Sequence, residues 1–493
     1  MKFRPINIAL LAISMAFVAC DEYLELDPIS DATSTNAYST ASDAEAALVG
    51  VYDSFQQEYY VWDNVIFSDV ISDNHYAGGD NPEIFAVDNL DIQPENSRLF
   101  NNWTQLYNGI AKANVVLAKV PEIIDPQFDL NNRREQILGE AAFIRAYHYF
   151  QLVSLWGGVP LILEPVASTD PAETQKPRNT EQEVYQQIIN DLEFALNDRL
   201  PDTYGSDASV NKARATSGAA NALMAKVYAQ MADRDYNKVL EHAQAVIDSP
   251  AGYSLMGDFR NLFDGNSYNN SESIMEVQYI GGPEANFGPQ LLLPPSVSGD
   301  TWRKFVTPSK DLIAAFDREG DLIRKEASVL FETAPWADEF WSLDVNGQVP
   351  FAFKWKEASG WASTNRQYLF RLADIILLKA EAHNELGQTT EALEALNLIR
   401  NRVNLPSVTA GSQEEIRLLI ENERRLELVQ EAQRWNDLKR YSRAVEVMNS
   451  LVEIDLRDNA PKVFTMTEDK LLLPIPQQEI NRNPQLTQNS GYN

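Results

Sequence analysis

Two regions of the sequence concentrate side chains suited to holding a polar ring. "SDVISDNHYAGGDN" carries Asp69, Asp73, Asn74, His75 and Tyr76, while "SGDTWRKF" and "SGWASTNRQY" carry Trp302, Trp361, Asn365 and Arg366. Trp336 and Trp341 lie between the last two stretches. An aromatic face covers the apolar C–H face of a pyranose or furanose. Burying about 50–100 Å² of such surface is worth about 1–3 kcal/mol. Amides, carboxylates and arginine then bond the hydroxyls and set specificity. These residue types in Gly/Ser/Asn-rich runs point to a glycan site. Trp302 and Trp361 would present the rings; Asp73, Asn74, His75 and Arg366, with Asp69, Tyr76 and Asn365, would supply the remaining contacts. The plainer alternatives are that loop indoles anchor the loops and that Asp, Asn and Ser cap turns.

Catalysis needs a different constellation. The chain contains no His-Glu-x-x-His, no Gly-x-Ser-x-Gly and no phosphate-binding glycine loop. Its four histidines include His148, His242 and His383 in helical patterns, where they read as packing or surface residues. Paired carboxylates can hydrolyse glycosides, but 71 acidic residues make any pair uninformative. No catalytic residue, metal ligand or cofactor is expected. The oxygen-rich "DGNSYNN" (Asp264–Asn270) leaves room for a structural cation such as calcium, without the spacing of a calcium loop.

The single cysteine, Cys20, closes an apolar run from Ile6 to Val18 that follows Lys2 and Arg4. The run is too short to span a membrane, which takes about 20 residues, and has the layout of a secretory signal. "FVAC" resembles the bacterial lipoprotein cleavage box. Residues 1–19 therefore read as a signal peptide and Cys20 as the lipidated first residue, which accounts for a cysteine that has no disulfide partner. Two or more acyl chains anchor a protein stably. Asp21 and Glu22 resemble the signal that sends such lipoproteins to the cell surface. With a formal charge of −30, the surface repels nucleic acid and polyanions and tilts the ligand toward a neutral oligosaccharide.

Helical hairpins must position these loops. "RLADIILLKAEAHNELG" (Arg371–Gly387) places Ala373, Ile376, Leu377, Ala380 and Asn384 on one helical face, and Gly387 ends it. Ala392, Leu393, Leu396 and Ile399 mark the partner helix. "ALMAKVYAQMADRDYNKVLEHAQAVID" (Ala222–Asp248) repeats the spacing, so the two hairpins resemble tetratricopeptide units, whose period is about 34 residues. Asp43–Gln57 with Trp103–Val120, and Arg133–Trp156 with Thr180–Leu196, complete four pairs. The charge-dense stretch from Gln413 to Asn449 predicts a solvated, salt-bridged helix. Tyr59–Phe100 and Pro250–Gln367 predict short strands and long ordered loops.

Six segments, in order along nearly the whole chain, resemble the RagB/SusD family of Bacteroidetes nutrient-uptake lipoproteins. They are the Cys20 box, "NNWTQLYNGIAKANVVL" (Asn101–Leu117), "EAAFIRAYHYFQLVSLWGGVPLIL" (Glu140–Leu163), Arg371–Gly387, "ENERRLELVQEAQRWNDLKR" (Glu421–Arg440) and "LLPIPQQEINRNPQLTQNSGY" (Leu472–Tyr492). The resemblance implies a mainly α fold: a tetratricopeptide-like scaffold of about four helical pairs, with long loops and short β-strands forming the ligand-binding face. It implies one domain over 20–493, with scaffold at about 40–60, 101–250 and 368–450 and binding regions at about 59–100 and 250–367. It also implies a non-catalytic, outer-membrane glycan binder that serves a SusC-like TonB-dependent transporter. The main rival is a tetratricopeptide scaffold that binds only peptides or proteins, which would not require aromatic-rich loops. A surface hydrolase is a third reading, separable by looking for new reducing ends.

Overall fold

The computed structural model describes residues 38–343 and 346–492; the expected signal peptide and Cys20 lie outside them. The Thr40 hydroxyl accepts the Asp43 N–H while the Asp43 carboxylate accepts the Thr40 N–H. This capping box starts α1 (Ala41–Tyr52). There follow α2 (Ser97–Lys119), α3 (Arg133–Trp156), α4 (Glu181–Leu196), α5 (Ser217–Gln230), α6 (Tyr236–Ile247), α7 (Leu372–Glu385) and α8 (Thr389–Arg402). The pairs pack as the periodicity predicts: α1 on α2, α3 on α4, α5 on α6 and α7 on α8. Contacts of α2 with α3 and of α6 with α7 join neighbouring pairs. Ala380, Ala392, Leu396 and Ile399 are buried along the α7–α8 seam, and Gly387 turns that hairpin with φ +76°. Gly109 lets α2 approach α3, because a Cβ there would stand 2.3 Å from His148 Nε2. His148 itself is buried between the Ser54 hydroxyl (2.8 Å) and the Tyr60 hydroxyl (2.6 Å). Among the described residues no helix is long and apolar enough to cross a membrane.

The strands form four antiparallel pairs: β1 (His75–Ala77) with β3 (Val306–Pro308), β2 (Ser273–Val277) with β6 (Gln367–Arg371), β4 (Val329–Thr333) with β5 (Gln348–Ala352), and β7 (Val452–Ile454) with β8 (Pro461–Val463). The region from 59 to 100 is more helical than its composition predicts. It holds π-helical turns at Tyr59–Asp63 and Ile66–Val70 and a helix at Pro82–Asp88. The 250–367 region likewise contains helices at Lys310–Glu319 and Leu322–Ser328.

The stretch from 413 to 449 corrects the expectation most. It is salt-bridged but not one helix, and its middle is buried where the expectation had it solvated. α9 (Gln413–Glu427) and α10 (Arg434–Arg440) are separate, and the break between them carries Gln430 and Ala432 at φ +63° and +57°. Glu421, Glu423, Arg424, Arg425, Glu427 and Arg434 are buried, because other elements bring them opposite charges. Arg371, at the end of β6, donates to Glu272 (2.9 Å), Glu427 (2.5 Å) and Glu431 (2.6 and 2.8 Å). Arg402 reaches both Glu272 (2.7 Å) and Glu427. Arg324 bonds Asp321 and approaches Glu423 at 2.7 Å and Glu427 at 3.2 Å. Arg424 ties Asp374 (2.8 Å) to Asp437 (2.9 Å). Burial alone would push the Glu427 carboxyl up, but Arg402, Arg371 and Arg324 hold it well below the usual range.

Candidate functional site

Trp302 and Trp361 stand together on the loop face. They come from loops 299–305 and 353–366, yet their ring centroids are 6.3 Å apart and their planes differ by 17°. Both stay open to solvent, at 37 % and 56 % exposure. Among the described residues they are the exposed large aromatics that face one another in this way.

The Trp302 indole is braced through its ring, and Trp361 through the turn that carries it. Trp302 meets Phe305 edge-on at 5.7 Å, Phe305 meets Trp62 at 5.7 Å, and the Arg98 guanidinium lies 4.6 Å over Trp62. Arg98 is in turn paired with Asp63. The Lys304 ammonium sits 4.3 Å over the Trp302 ring while donating to Asp300 (2.6 Å) and to the Gln290 carbonyl (3.0 Å). A cation held over an indole face is attracted by the ring quadrupole. Trp361 tops a turn organised by one carboxylate. Glu357 accepts the Ser363 hydroxyl (2.7 Å), the Thr364 N–H (2.7 Å) and the Ser359 hydroxyl. Burial pushes the Glu357 carboxyl up, and the hydroxyls of Ser359 and Ser363 with the Thr364 N–H bring it below its ordinary value. Asn286 fastens this turn to its neighbour through the Ser363 and Asn365 carbonyls, at 2.9 and 2.8 Å. The loops that carry the indoles are thus preorganised, so less ordering remains to be done when a ligand binds.

The polar partners expected from the first stretch are elsewhere. Asp69, Asp73, Asn74, His75 and Tyr76 are all buried; they belong to the ionic core and not to a ligand surface. Asp73 receives Arg434 through two bonds (2.7 and 2.8 Å) and approaches Arg425 at 3.2 Å. Those arginines hold its carboxyl well below the ordinary value despite burial. Asn74 bridges Asp69 (3.1 Å) and Arg425 (2.8 Å). Asp69 accepts the N–H groups of Gln430 (3.1 Å) and Ala432 (3.2 Å); the alternating backbone of that break makes a small anion-binding concavity. Burial lowers the His75 imidazole to about 3, so it stays neutral. Tyr76 packs edge-on against Phe340 at 4.9 Å. A run rich in Ser, Asp, Asn and Gly reads as a surface loop, and here it passes under α9 and α10.

Asn365 is also buried and serves its own turn, donating to the Arg366 carbonyl at 3.1 Å. Arg366 is half-buried, 4.7 Å over the Tyr268 ring and 3.9 Å from Glu276. Trp341 packs edge-on against Phe331 at 5.5 Å, and Trp336 is half-buried against the small core at Ala334, Val349 and Phe351. The bracing residues Trp62, Phe305, Lys304 and Glu357 were not expected. The one local signal is the Asp300–Lys304 spacing on either side of Trp302; Trp62 carries none. Among the described residues no three His, Cys, Asp or Glu side chains stand together as metal ligands. The Asp264 carboxylate is occupied by the N–H groups of Asn266 (2.8 Å) and Ser267 (2.7 Å).

Two family models match the chain. One, described as the SusD family, covers residues 346–492; the other, described as starch-binding associating with outer membrane, covers 22–229. A SusD-like protein P38 of Formosa agariphila is 28% identical over the full length of both chains. A SusD-like protein of Bacteroides ovatus is 25% identical over 89% of this chain and 82% of its own. Among solved structures, a laminarin binding SusD-like protein is 28% identical and superposes with a TM-score of 0.74, covering 92% of this chain and all of that one. A SusD homolog from Bacteroides thetaiotaomicron, at 21% identity and TM-score 0.77 over 94% of this chain and 99% of its own, shares the fold.

Proposed function

The chain belongs to the SusD/RagB family, and from that premise we propose that it binds oligosaccharides at the cell surface and passes them to a SusC-like TonB-dependent transporter in the outer membrane. It is a binding protein and not an enzyme. The observation that carries the proposal is the braced, solvent-open pair Trp302 and Trp361, because a saccharide needs flat apolar faces held in place. The kinship with a laminarin binding protein supports the ligand class. The net charge of −30 supports a neutral glycan over a sulfated or uronic one. A scaffold that binds only peptides does not require two exposed indoles on a loop face.

Calorimetric titration of the full chain, in a detergent that contains no sugar, against neutral and acidic oligosaccharides tests this. Heat of binding is expected with at least one neutral chain, with no new reducing ends afterwards; silence across the panel overturns the proposal. The anchor is tested separately. Cys20→Ala should move the protein from the membrane fraction to the soluble one, and a variant that still enters the detergent phase is anchored in some other way. The transporter should co-purify from membranes extracted in mild detergent, and recovery of this chain alone speaks against that partner.

A further inference from the structure

A second hollow lies on the scaffold, away from the two indoles. It is a cavity of about 360 Å³ between α2, the 160–176 segment and the C-terminal residues 479–486. Its aromatic floor is Tyr107, with Trp103 almost wholly buried behind it. Trp103 meets Trp156 edge-on at 5.3 Å, and Tyr107 leans on Trp103 at 5.1 Å. The Tyr107 hydroxyl donates to the Pro160 carbonyl at 2.7 Å, so the ring cannot turn freely. Leu486 closes the apolar side.

The rim is polar and mixed in sense. Thr104 and Asn108 stand one turn apart on α2, Asn108 exposed. Across from them Gln175 donates to the Arg482 carbonyl at 2.9 Å, which orients its amide and leaves the side-chain oxygen as an acceptor. The Arg482 guanidinium gives one bond to Glu479 at 3.0 Å and keeps other donors. Hydroxyl, amide and guanidinium groups together supply both donors and acceptors around an apolar floor. An acyl chain would leave those rim groups unpaired, at about 1–3 kcal/mol for each one buried. Arg482 and Glu479 neutralise one another, and the Lys176 ammonium on the same rim donates to the Ala172 carbonyl at 2.7 Å. A polyhydroxylated ring with one apolar face satisfies floor and rim together.

We propose that this scaffold pocket binds a single uncharged sugar ring, as a free monosaccharide or the end of a chain, independently of the Trp302–Trp361 pair. The choice of a sugar rests on the glycan-binding function above, and the existence of the pocket does not.

The experiment titrates the full chain, in sugar-free detergent, with D-glucose, D-galactose and D-mannose, read by saturation-transfer NMR. At least one should bind wild type, and the double variant Trp302→Ala/Trp361→Ala should retain that binding. Asn108→Trp, which places an indole in the mouth from an exposed position, and Gln175→Ala should each weaken it at least tenfold with unchanged thermal melts. Absence of monosaccharide binding, or indifference to both rim variants, overturns the pocket. Loss in the double tryptophan variant alone would assign the monosaccharide to the indole pair and also overturn it. Oligosaccharide binding to wild type, measured in parallel, reports on the main function, so a failed pocket is told apart from a failed glycan reading.

Discussion

Replacing Arg371 by Met lowers the stability of the fold by about 3–5 kcal/mol, the range found when one member of a buried ionic cluster is removed. Arg371 is almost fully enclosed and bonds three carboxylates, Glu272, Glu427 and Glu431. Methionine roughly matches the aliphatic stem but leaves the buried Glu272 and Glu427 and the half-buried Glu431 with one fewer cation. Arg402 still serves Glu272 and Glu427, and Lys354 still serves Glu431 at 2.6 Å. The loss is therefore bounded and does not equal the sum of the broken bonds. An exposed pair such as Lys238–Glu241, 2.8 Å apart, is the control, since water already solvates both groups; Lys238→Ala should leave the unfolding midpoint where it is. Chemical denaturation measures both. A loss below about 1 kcal/mol for Arg371→Met would mean that the cluster contributes no more than a surface pair.

Truncating the indoles should have the largest effect on binding. Trp361→Ala or Trp302→Ala is expected to weaken oligosaccharide binding by about 30-fold, from about 2 kcal/mol for a central stacking residue. Trp361 is the more exposed ring, so its removal disturbs the fold less and gives the cleaner measurement. Trp302 also packs on Phe305 and under Lys304, so its alanine variant carries a structural component that thermal melts will separate. If both variants bind as wild type does, the glycan lies elsewhere. If the melts collapse together with affinity, the indoles are loop anchors.

The hairpin helices were legible because they repeat a narrow, small-residue face. Ala380, Ala392, Leu396 and Ile399 are predicted to be inside and are buried. The two indoles were legible because tryptophan in a polar loop is an unusual composition. What local sequence could not give was sequence-distant pairing. Asp73 looks like a loop residue until Arg434, 361 positions later, is placed on it. Similarly, the dense charge of α9 and α10 suggests solvent until its partners are known. Too many acids and bases lie in this chain for their matching to be read in advance. The break at Gln430 and Ala432 had no Gly or Pro to mark it; it is stabilised by the carboxylate of Asp69, itself about as far away in sequence.

That distance has a consequence for how the chain acquires its structure. Synthesis delivers the N-terminal part first. When Asp69 and Asp73 emerge, the arginines and backbone amides that will enclose them do not yet exist outside the ribosome. Enclosing bare carboxylates without those partners costs several kcal/mol for each ion, so the segment around β1 remains hydrated. Closure waits for Arg425 and Arg434, near the end of the polypeptide, and the long loop that must then be closed makes the step slow. A late electrostatic latch of this kind leaves the segment around β1 open until the C-terminal part of the chain has been made.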